Sequence, residues 1–414
     1  AYDRTRLYPL YLLKIAWVGF TLVGFAWLIS MSLSDPGPRH GGVQSEFMNN
    51  PAGPFAALAG YGRWSERLYA VSPWAVFLLA AVLTYWLVPY SLVPVALAGV
   101  AMGVTVLEFL FYRQFLDPLY PSRESTNVIG LKYARGEVKQ RIILSGHIDS
   151  AYEWTYSYRF GVWMVKVVLI GAIVGGVAVL GCGIARLVLG GMRVDPLAGA
   201  WRYVGIVQSI FVPWFVALYF FSNSRVAVPG ANDNLTGVAA SIAVAKLLHE
   251  ADETFAHTEL VVISMGSEEA GLRGAKAYAR KHRAELDTVP PTVFLGLETF
   301  RDIDHMAVYA RDMNGLVKND PGACRLLKEA GRRCGRDLAY ATLYAGASDA
   351  AAFSQAGTPA ALLAAMDPAP PRYYHTRLDD VDNLDEPCLA LGIRIALEAV
   401  RRYNEHGIDS AGAE

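Results

Sequence analysis

Charged residues and cysteines are both scarce in this sequence of 414 residues. Only 18% of the residues are charged and the formal net charge is -1, so the chain lacks the basic surface with which proteins usually bind nucleic acid. The four cysteines, Cys182, Cys324, Cys334 and Cys388, follow neither a metal-binding spacing nor a dense disulfide framework. A nucleic-acid partner and a closed cysteine–zinc site are therefore disfavoured, and the redox compartment stays open.

Apolar residues are abundant instead, at 53% of the chain. A run of about 20 apolar residues crosses a bilayer as a helix, and such runs predict five transmembrane helices, at residues 10–31, 73–88, 93–112, 162–184 and 203–221. A cleavable signal peptide is the rival interpretation of the first run, but the run is longer than an h-region and lacks a small-residue cleavage site. We therefore expect a multi-pass integral membrane protein.

Outside these runs, short apolar strands alternate with helical stretches. Strands are predicted at residues 125–130, 141–146, 260–264 and 292–296, and helices at residues 238–250 and 274–286. This alternation is typical of a three-layer α/β domain with a mixed, largely parallel sheet. The predicted domains are an N-terminal membrane region (1–112), the first part of the α/β domain (113–161), an inserted transmembrane hairpin (162–222) and the second part of the domain (223–414).

The positions of the cations predict an orientation in the membrane. Arg4, Arg6 and Lys14 lie near the N-terminus, and the loop 186–202 carries three arginines against one acid. Cytoplasmic loops are enriched in Lys and Arg, so both segments are expected inside. This orientation places both parts of the α/β domain outside the cytoplasm.

Histidines and carboxylates follow the predicted strands, at the points where ligands bind in open α/β sheets. The candidates are His147, Asp149, Asp233, Glu268, Glu269, Glu298 and His375. Imidazoles and carboxylates without neighbouring cysteines suit zinc in an open, catalytic site. Two alternatives remain: Asp233 taken alone fits an N-terminal helix cap better than a ligand, and Asp302 or Asp304 competes with Glu298.

The adjacent pair Glu268 and Glu269 indicates hydrolysis. Neighbouring glutamates point in different directions, so one can bind metal while the other holds the proton of a water. Zinc lowers the pKa of its bound water toward neutrality, and a positioned carboxylate passes the proton to the leaving amine. Asp149, two residues after His147, can accept a hydrogen bond from the imidazole and fix its tautomer.

Several short motifs occur together in a fixed order. They are Asn-Val-Ile-Gly (127–130), Gly-His-Ile-Asp-Ser (146–150), Gly-Ala-Asn-Asp-Asn-Leu-Thr-Gly (230–237), Ser-Glu-Glu-Ala-Gly-Leu-Arg-Gly (267–274), Ser348-Asp349 and Tyr-His-Thr (374–376). In this combination the chain resembles the co-catalytic zinc aminopeptidase family (peptidase family M28-like), which includes bacterial leucyl aminopeptidases, glutamate carboxypeptidase and glutaminyl cyclases. The resemblance covers residues 117–161 and 223–405.

The resemblance implies two zinc ions per chain, with a role for each candidate residue. His147 and Glu298 would bind one zinc, Glu269 and His375 the other, and Asp233 would bridge both. Glu268 would be the general acid/base, and Asp149 would orient His147. The chain departs from the family in two ways: the family usually has Asp where Glu298 stands, and a short connection where this chain has residues 162–222.

The function implied is a membrane-embedded, zinc-dependent exopeptidase, and more specifically an aminopeptidase. It would hydrolyse peptide or lipid-linked amide bonds with a metal-activated water, and its expected partners are a hydrophobic or membrane-associated peptide and the lipid bilayer. If the helices only anchor the enzyme, no membrane substrate is implied. The alternatives are a cyclotransferase like glutaminyl cyclase and a catalytically inactive binding protein on a peptidase fold.

Overall fold

The computed structural model describes residues 2–7, 73–116, 123–288 and 291–408. The chain divides into two compact units. The sheet unit comprises Ala1–Leu7, Ser122–Ala151 and Val228–Glu414, and the helical unit comprises Tyr8–Pro121 and Tyr152–Ala227. The transmembrane helix predicted at residues 10–31 lies outside the described residues.

The strands of the described residues are short and are spread along the whole chain. They are β1 (Tyr2–Leu7), β2 (Arg123–Lys132), β3 (Gln140–His147), β4 (Tyr152–Trp154), β5 (Ser222–Ala227), β6 (Thr258–Met265), β7 (Thr292–Phe300), β8 (Met306–Asp312), β9 (Val317–Lys318), β10 (Ala339–Thr342) and β11 (Ala360–Ala365). The four strands predicted from the sequence correspond to β2, β3, β6 and β7.

The α-helices of the described residues fall into two groups. Those of the helical unit are α1 (Pro73–Leu87), α2 (Leu92–Val104), α3 (Thr155–Phe160), α4 (Val162–Ala185), α5 (Trp201–Ser209) and α6 (Val212–Tyr219). Those of the sheet unit are α7 (Thr236–Glu250), α8 (Arg273–Lys281), α9 (Arg283–Thr288), α10 (Pro321–Arg333), α11 (Asp349–Gln355) and α12 (Glu386–His406). The helix predicted at 274–286 is therefore divided between α8 and α9.

Nine strands form one mixed sheet in the order β1-β2-β6-β3-β7-β11-β8-β10, with β9 paired to β8. The central strands β6, β3, β7 and β11 are parallel to their neighbours within this group. The strands β2 and β8 run antiparallel to β6 and β11. The predicted mixed, largely parallel sheet is confirmed.

Apolar side chains cover both faces of this sheet. Ile142 and Leu144 of β3 belong to a core that includes residues of α7, α10 and α12. On the opposite face, the ring of Phe294 stacks on Phe353 of α11 with 3.9 Å between the ring centroids, because successive side chains of a strand point to opposite faces. Helices thus lie on both faces, as expected for a three-layer α/β domain.

The N-terminal strand contradicts part of the predicted membrane topology. β1 pairs antiparallel with β2, so that Arg4 lies opposite Thr126 and Arg6 opposite Glu124. Paired strands of one open sheet must lie on the same side of a bilayer, because unpaired strand edges do not occur in the hydrocarbon region. The expectation that these arginines lie on the opposite side from the α/β domain is therefore wrong.

Among the described residues of the helical unit, three helical segments are long and apolar enough to span a membrane. They are Leu92–Leu110, Val162–Gly190 and Trp201–Tyr219, and Trp74–Leu87 is a shorter apolar helix. The first two continue α2 and α4 through a π-helical turn. These three segments overlap the predicted runs at 93–112, 162–184 and 203–221, and they indicate membrane association.

Arg186 was assigned from the sequence to a cytoplasmic loop, but it is fully buried in the helical unit. Its guanidinium donates hydrogen bonds to the carbonyls of Tyr85, Val88, Pro89 and Val194, at 2.7 to 3.2 Å. The carbonyls of the last turn of a helix have no partners within the helix, so Arg186 provides donors at the end of α1. It is not a loop charge.

The ends of residues 152–227 meet in the structure. β4 pairs antiparallel with β5, with Tyr152 opposite Ala227. The residues that flank this segment also meet: the backbone amide of Val228 donates to the carbonyl of Ala151 at 3.0 Å. The chain therefore leaves and re-enters the sheet unit at neighbouring points.

Candidate active site

His147 is the last residue of β3, in the centre of the sheet, and its side chain is buried. Its Nε2 atom lies 3.3 Å from Oδ1 of Asp233 and 3.9 Å from Oε2 of Glu268. Its Nδ1 atom lies 3.0 Å from the backbone carbonyl oxygen of Asp149. The sheet thus directs one ring nitrogen at two carboxylates, while the other nitrogen faces a carbonyl acceptor.

The carboxylate of Asp233 lies between two imidazoles. Its Oδ1 faces His147, and its Oδ2 lies 3.1 Å from Nε2 of His375. A carboxylate that bridges two cations directs one oxygen at each of them. The Asp233 carboxylate has this arrangement, because one of its oxygens faces each imidazole. The structure therefore gives Asp233 a different position from that of a simple helix cap.

The loop that carries Asp233 is held by close backbone contacts. The side-chain amide of Asn234 donates from Nδ2 to Leu297 O at 2.9 Å, and its Oδ1 accepts from Gly237 N at 3.0 Å. A Cβ on Gly237 would lie 2.0 Å from Leu297 O, and one on Gly146 would lie 2.4 Å from the Gly237 carbonyl carbon. Only glycine permits this approach between the start of α7 and the strands β3 and β7.

Glu268 and Glu269 follow β6 in a tight turn that begins with Ser267 at φ 61°. The two carboxylate oxygens of Asp149 accept hydrogen bonds from their backbone amides, each at 3.0 Å. Oε1 of Glu269 lies 3.1 Å from Nε2 of His375. The two glutamates therefore face different histidines, as the division of their roles requires.

The position of Asp149 differs in detail from the expectation. Its carboxylate was expected to accept a hydrogen bond from the His147 ring, but Oδ1 lies 3.8 Å from Nδ1. The backbone carbonyl of Asp149 takes that place at 3.0 Å. Asp149 thus orients His147 through its main chain, because its side chain is engaged by the glutamate loop.

His375 lies in the loop between β11 and α12, in the left-handed region at φ 52°. The ring of Tyr374 stacks on it with 3.9 Å between centroids. The preceding Tyr373 donates from its hydroxyl to Oδ2 of Asp302 at 2.9 Å. Neighbouring aromatic side chains thus fix the loop, and the imidazole is directed at Asp233 and Glu269.

Glu298 lies near the end of β7, and its two competitors have other partners. Asp302 accepts from Tyr373, and also from Asp367 N at 2.9 Å, while Asp304 is exposed and lies 3.5 Å from Arg336 Nη2. Burial raises the pKa of Glu298 well above its usual range, against the charge of His147. Glu298 is thus within electrostatic reach of the site, and it remains the better candidate of the three.

The electrostatics of the site reflect many carboxylates buried together. Burial raises the pKa of Glu268 well above its ordinary value, although His147 lowers it. Burial also acts to raise the pKa of Asp233, but His147 and His375 outweigh it and hold this pKa below its usual range. Burial lowers the pKa of His375, whereas Glu269 and Asp233 raise it to a net value of about 10. Because a metal ligand must be a neutral imidazole, metal binding would release protons here.

The donor set fits a divalent metal. One ligand atom each from His147, Asp233 and Glu269 lie within 4.8 Å of one another. Nitrogen and oxygen donors of this kind are those that zinc accepts. The resemblance assigned His147 and Glu269 to different ions, but within the described residues they belong to the same group, which does not include Glu298. The geometry thus indicates a metal site without fixing the number of ions.

Sequence reasoning missed two further aspartates at the site. Asp379, fully buried, accepts from the amides of Asn232 and Asp233 at 2.8 and 3.0 Å. Asp312, also fully buried, accepts from the hydroxyl of Ser348 at 2.6 Å. An aspartate follows each candidate histidine at a short distance, Asp149 after two residues and Asp379 after four. This proximity was the available signal for Asp379.

Asp349 belongs to the Ser348-Asp349 motif of the sequence. Its side chain is buried, and burial raises its pKa to about 7 against the charge of His147. It therefore lies within electrostatic reach of the site.

The fold and the site together define a class of protein. Two imidazoles and a set of buried carboxylates meet at the carboxyl ends of the central strands of a three-layer α/β domain, which is the arrangement of a metal-dependent hydrolase. Residues 219–400 match the model of Peptidase family M28, and this match confirms the resemblance seen in the sequence. This part of the chain is thus similar to the M28 peptidases; it includes Asp233 and His375, whereas His147 precedes it.

Solved structures of aminopeptidases and of a glutaminyl cyclase are similar to the chain at low identity. An aminopeptidase from Aneurinibacillus sp. strain AM-1 is 20% identical, with a TM-score of 0.44 over 68% of this chain and 48% of that one. BSAP, a zinc aminopeptidase from Bacillus subtilis, is 18% identical, with a TM-score of 0.42 over 68% and 51%. A glutaminyl cyclase from an Acidobacteriales bacterium is 16% identical, with a TM-score of 0.39 over 69% and 75%.

The chain spans about half the length of the two aminopeptidases. No curated protein matches the sequence.

Proposed function

We propose that this chain is a membrane-embedded, zinc-dependent aminopeptidase with two zinc ions. The observation that carries the proposal is the position of Asp233, whose two carboxylate oxygens lie 3.3 Å from His147 Nε2 and 3.1 Å from His375 Nε2. Two imidazoles that face the two oxygens of one buried carboxylate support a bridged pair of metal sites as the proposal. A single structural ion would not require this arrangement.

The proposed ligands are His147 and Glu298 for one ion, Glu269 and His375 for the other, and Asp233 for both. When bound, zinc polarises the scissile carbonyl and lowers the pKa of a water molecule. The protein would hold the ligands in place through the sheet and through Asp149 and Asp379, which accept hydrogen bonds from the loops that carry the ligands. Asp149 fixes the loop of Glu268 and Glu269 through two backbone amides, each at 3.0 Å.

Glu268 is proposed as the general acid/base. Its side chain is 10% exposed, and its carboxylate lies 3.9 Å from His147 Nε2. A buried carboxylate whose pKa lies above its usual range can accept a proton and return it near neutral pH, which is the property a general acid/base requires. Glu268 would take the proton of the attacking water and give it to the leaving amine.

The membrane part of the proposal concerns the substrate. In the part of the chain that the structure describes, three helical segments are long and apolar enough to span a bilayer. The pairing of β4 with β5 brings the ends of residues 152–227 together. A hairpin that starts and ends next to the sheet unit favours hydrophobic or membrane-associated peptides, or lipid-linked amides. Of the arginines used to predict the orientation, Arg193 and Arg202 still support it, because cytoplasmic loops are enriched in arginine. We therefore propose that the sheet unit lies outside the cytoplasm.

The test measures zinc and hydrolysis on the full chain in detergent. We expect two zinc ions per chain by elemental analysis, hydrolysis of aminoacyl amides, loss of activity with a chelator and recovery with zinc. One zinc ion would require a different assignment for Glu298. Zinc without any amide hydrolysis would overturn the peptidase assignment.

The membrane-substrate part has its own test. Hydrolysis of a hydrophobic and a soluble peptide is compared in detergent and in lipid nanodiscs, and a bilayer should favour the hydrophobic peptide. Equal ratios in the two environments would leave the helices with an anchoring role only.

A further inference from the structure

The two proposed ligand histidines belong to segments with the same construction. Asp149 follows His147 by two residues, and Asp379 follows His375 by four. Each aspartate accepts hydrogen bonds from two consecutive backbone amides of a different, carboxylate-bearing loop: Asp149 from the Glu268 loop and Asp379 from the Asp233 loop. Each histidine segment thus fixes the loop that supplies the facing carboxylate.

Asp379 makes several contacts with that loop. Its Oδ1 accepts from the backbone amide and the side-chain amide of Asn232, both at 2.8 Å, and its Oδ2 accepts from the amide of Asp233 at 3.0 Å. Its own carbonyl accepts from Ala231 N at 3.0 Å. Hydrogen bonds to an ionised carboxylate are stronger than those between neutral groups, so both oxygens constrain the backbone from which the Asp233 side chain projects.

From these contacts we infer that Asp379 is a positioning residue that sets the bridging carboxylate Asp233 relative to His375; this inference rests on the proposed function. The segment from His375 to Asp379 carries one ligand and also fixes the loop of another. The two ligands are therefore placed as one rigid assembly. A change at Asp379 would displace Asp233 from His375 without removing a ligand atom.

The consequence is a specific effect on metal binding. Groups that orient ligands typically contribute about 10- to 100-fold to metal affinity. In Asp379→Asn one of the two acceptor oxygens becomes a donor, so an amide of Asn232 or of Asp233 loses its partner and faces an N–H group. Asp233 should then lose its alignment, while His375 and the sheet remain in place.

The test compares wild type, Asp379→Asn and the control Asp382→Asn, each as the full chain in detergent. Asp382 lies three residues further along the same segment, and its side chain is exposed. Zinc affinity is measured by competition with a chelating dye, and the visible absorption spectrum is recorded after saturation with Co²⁺. The zinc-free proteins are compared by circular dichroism.

We expect the zinc dissociation constant of Asp379→Asn to rise about 10- to 100-fold, and its Co²⁺ spectrum to shift, while Asp382→Asn matches the wild type. Asp379→Glu, which keeps both acceptor oxygens on a longer arm, should have an intermediate zinc affinity. A residue with a general structural role would leave the Co²⁺ spectrum of the saturated protein unchanged.

Each other outcome has a distinct meaning. If the wild type binds no zinc, the proposed function fails first. If the wild type binds zinc, and Asp379→Asn has the same affinity and Co²⁺ spectrum, the positioning role is wrong and the function stands. If zinc-free Asp379→Asn is unfolded, the residue serves folding, and the positioning role is likewise overturned.

Discussion

The substitution Glu268→Gln removes the proposed proton carrier while keeping the shape of the side chain. The backbone amide of Glu268 donates to Asp149 at 3.0 Å, and this bond does not depend on the side chain. The group of close ligand atoms comprises His147, Asp233 and Glu269. The substitution should therefore leave both the loop and the metal site assembled.

The expected loss is large and falls on turnover. Removing a general acid/base typically costs about 10²- to 10⁴-fold in rate, and a 10²-fold loss corresponds to about 2.7 kcal/mol of transition-state stabilisation. The Michaelis constant should change little, because the carboxylate acts on the proton of the water and not on substrate binding. The neutral amide of Gln can neither accept nor return that proton.

The assay measures the hydrolysis of aminoacyl amides together with zinc per chain. The matched control is Glu250→Gln, at the end of α7, whose side chain is 58% exposed next to Lys246; its turnover should equal that of the wild type. If Glu268→Gln lost zinc, the roles of Glu268 and Glu269 would have to be exchanged. Turnover within a few-fold of the wild type, with full zinc, would refute the acid/base role.

Three further predictions concern the metal, the packing and the pH dependence of stability. His375→Ala should lower the zinc content measured by elemental analysis, and wild-type zinc in this variant would contradict its role. Gly237→Ala should destabilise the protein by about 1 to 3 kcal/mol or more in thermal unfolding, because its Cβ would lie 2.0 Å from Leu297 O; Gly130→Ala, whose Cβ would lie 3.9 Å from its nearest neighbour, should be tolerated. Burial raises the pKa of Asp312, although its hydrogen bonds lower it; its contribution to stability is then complete below the pKa of an unfolded Asp and is lost as pH rises through the folded pKa. Asp312→Asn should remove this decline from unfolding curves recorded across that window, and an unchanged pH profile would contradict the shift.

Local sequence was sufficient for the strands and the order of the candidate residues. β3, β6 and β7 are continuous apolar runs because they are buried in the centre of a parallel sheet. His147 is the last residue of β3, Glu268 follows β6, and Glu298 lies near the end of β7. The long apolar helices were equally evident, since a span requires only length and composition. In these cases the decisive interactions lie within one short segment.

Contacts between residues far apart in the sequence could not be predicted in this way. The N-terminal arginines lie in a strand of the main sheet, and Arg186 is buried against the carbonyl groups at the end of α1. A count of cations treats each of them as a free charge in a loop. Burial and strand pairing depend on partners far along the chain, so they were not available to such a count.

The sequence by itself determined the kind of chemistry: imidazoles and carboxylates at strand ends, in an order that resembles metallopeptidases. Only the tertiary structure decided which oxygen faces which nitrogen. It directed Asp233 at both histidines, turned the carboxylate of Asp149 to the glutamate loop, and brought Asp379 to the loop of Asp233, 146 residues away. Hydrogen bonds across such separations form only once the sheet and its helices have packed, because packing alone brings those groups within reach of one another.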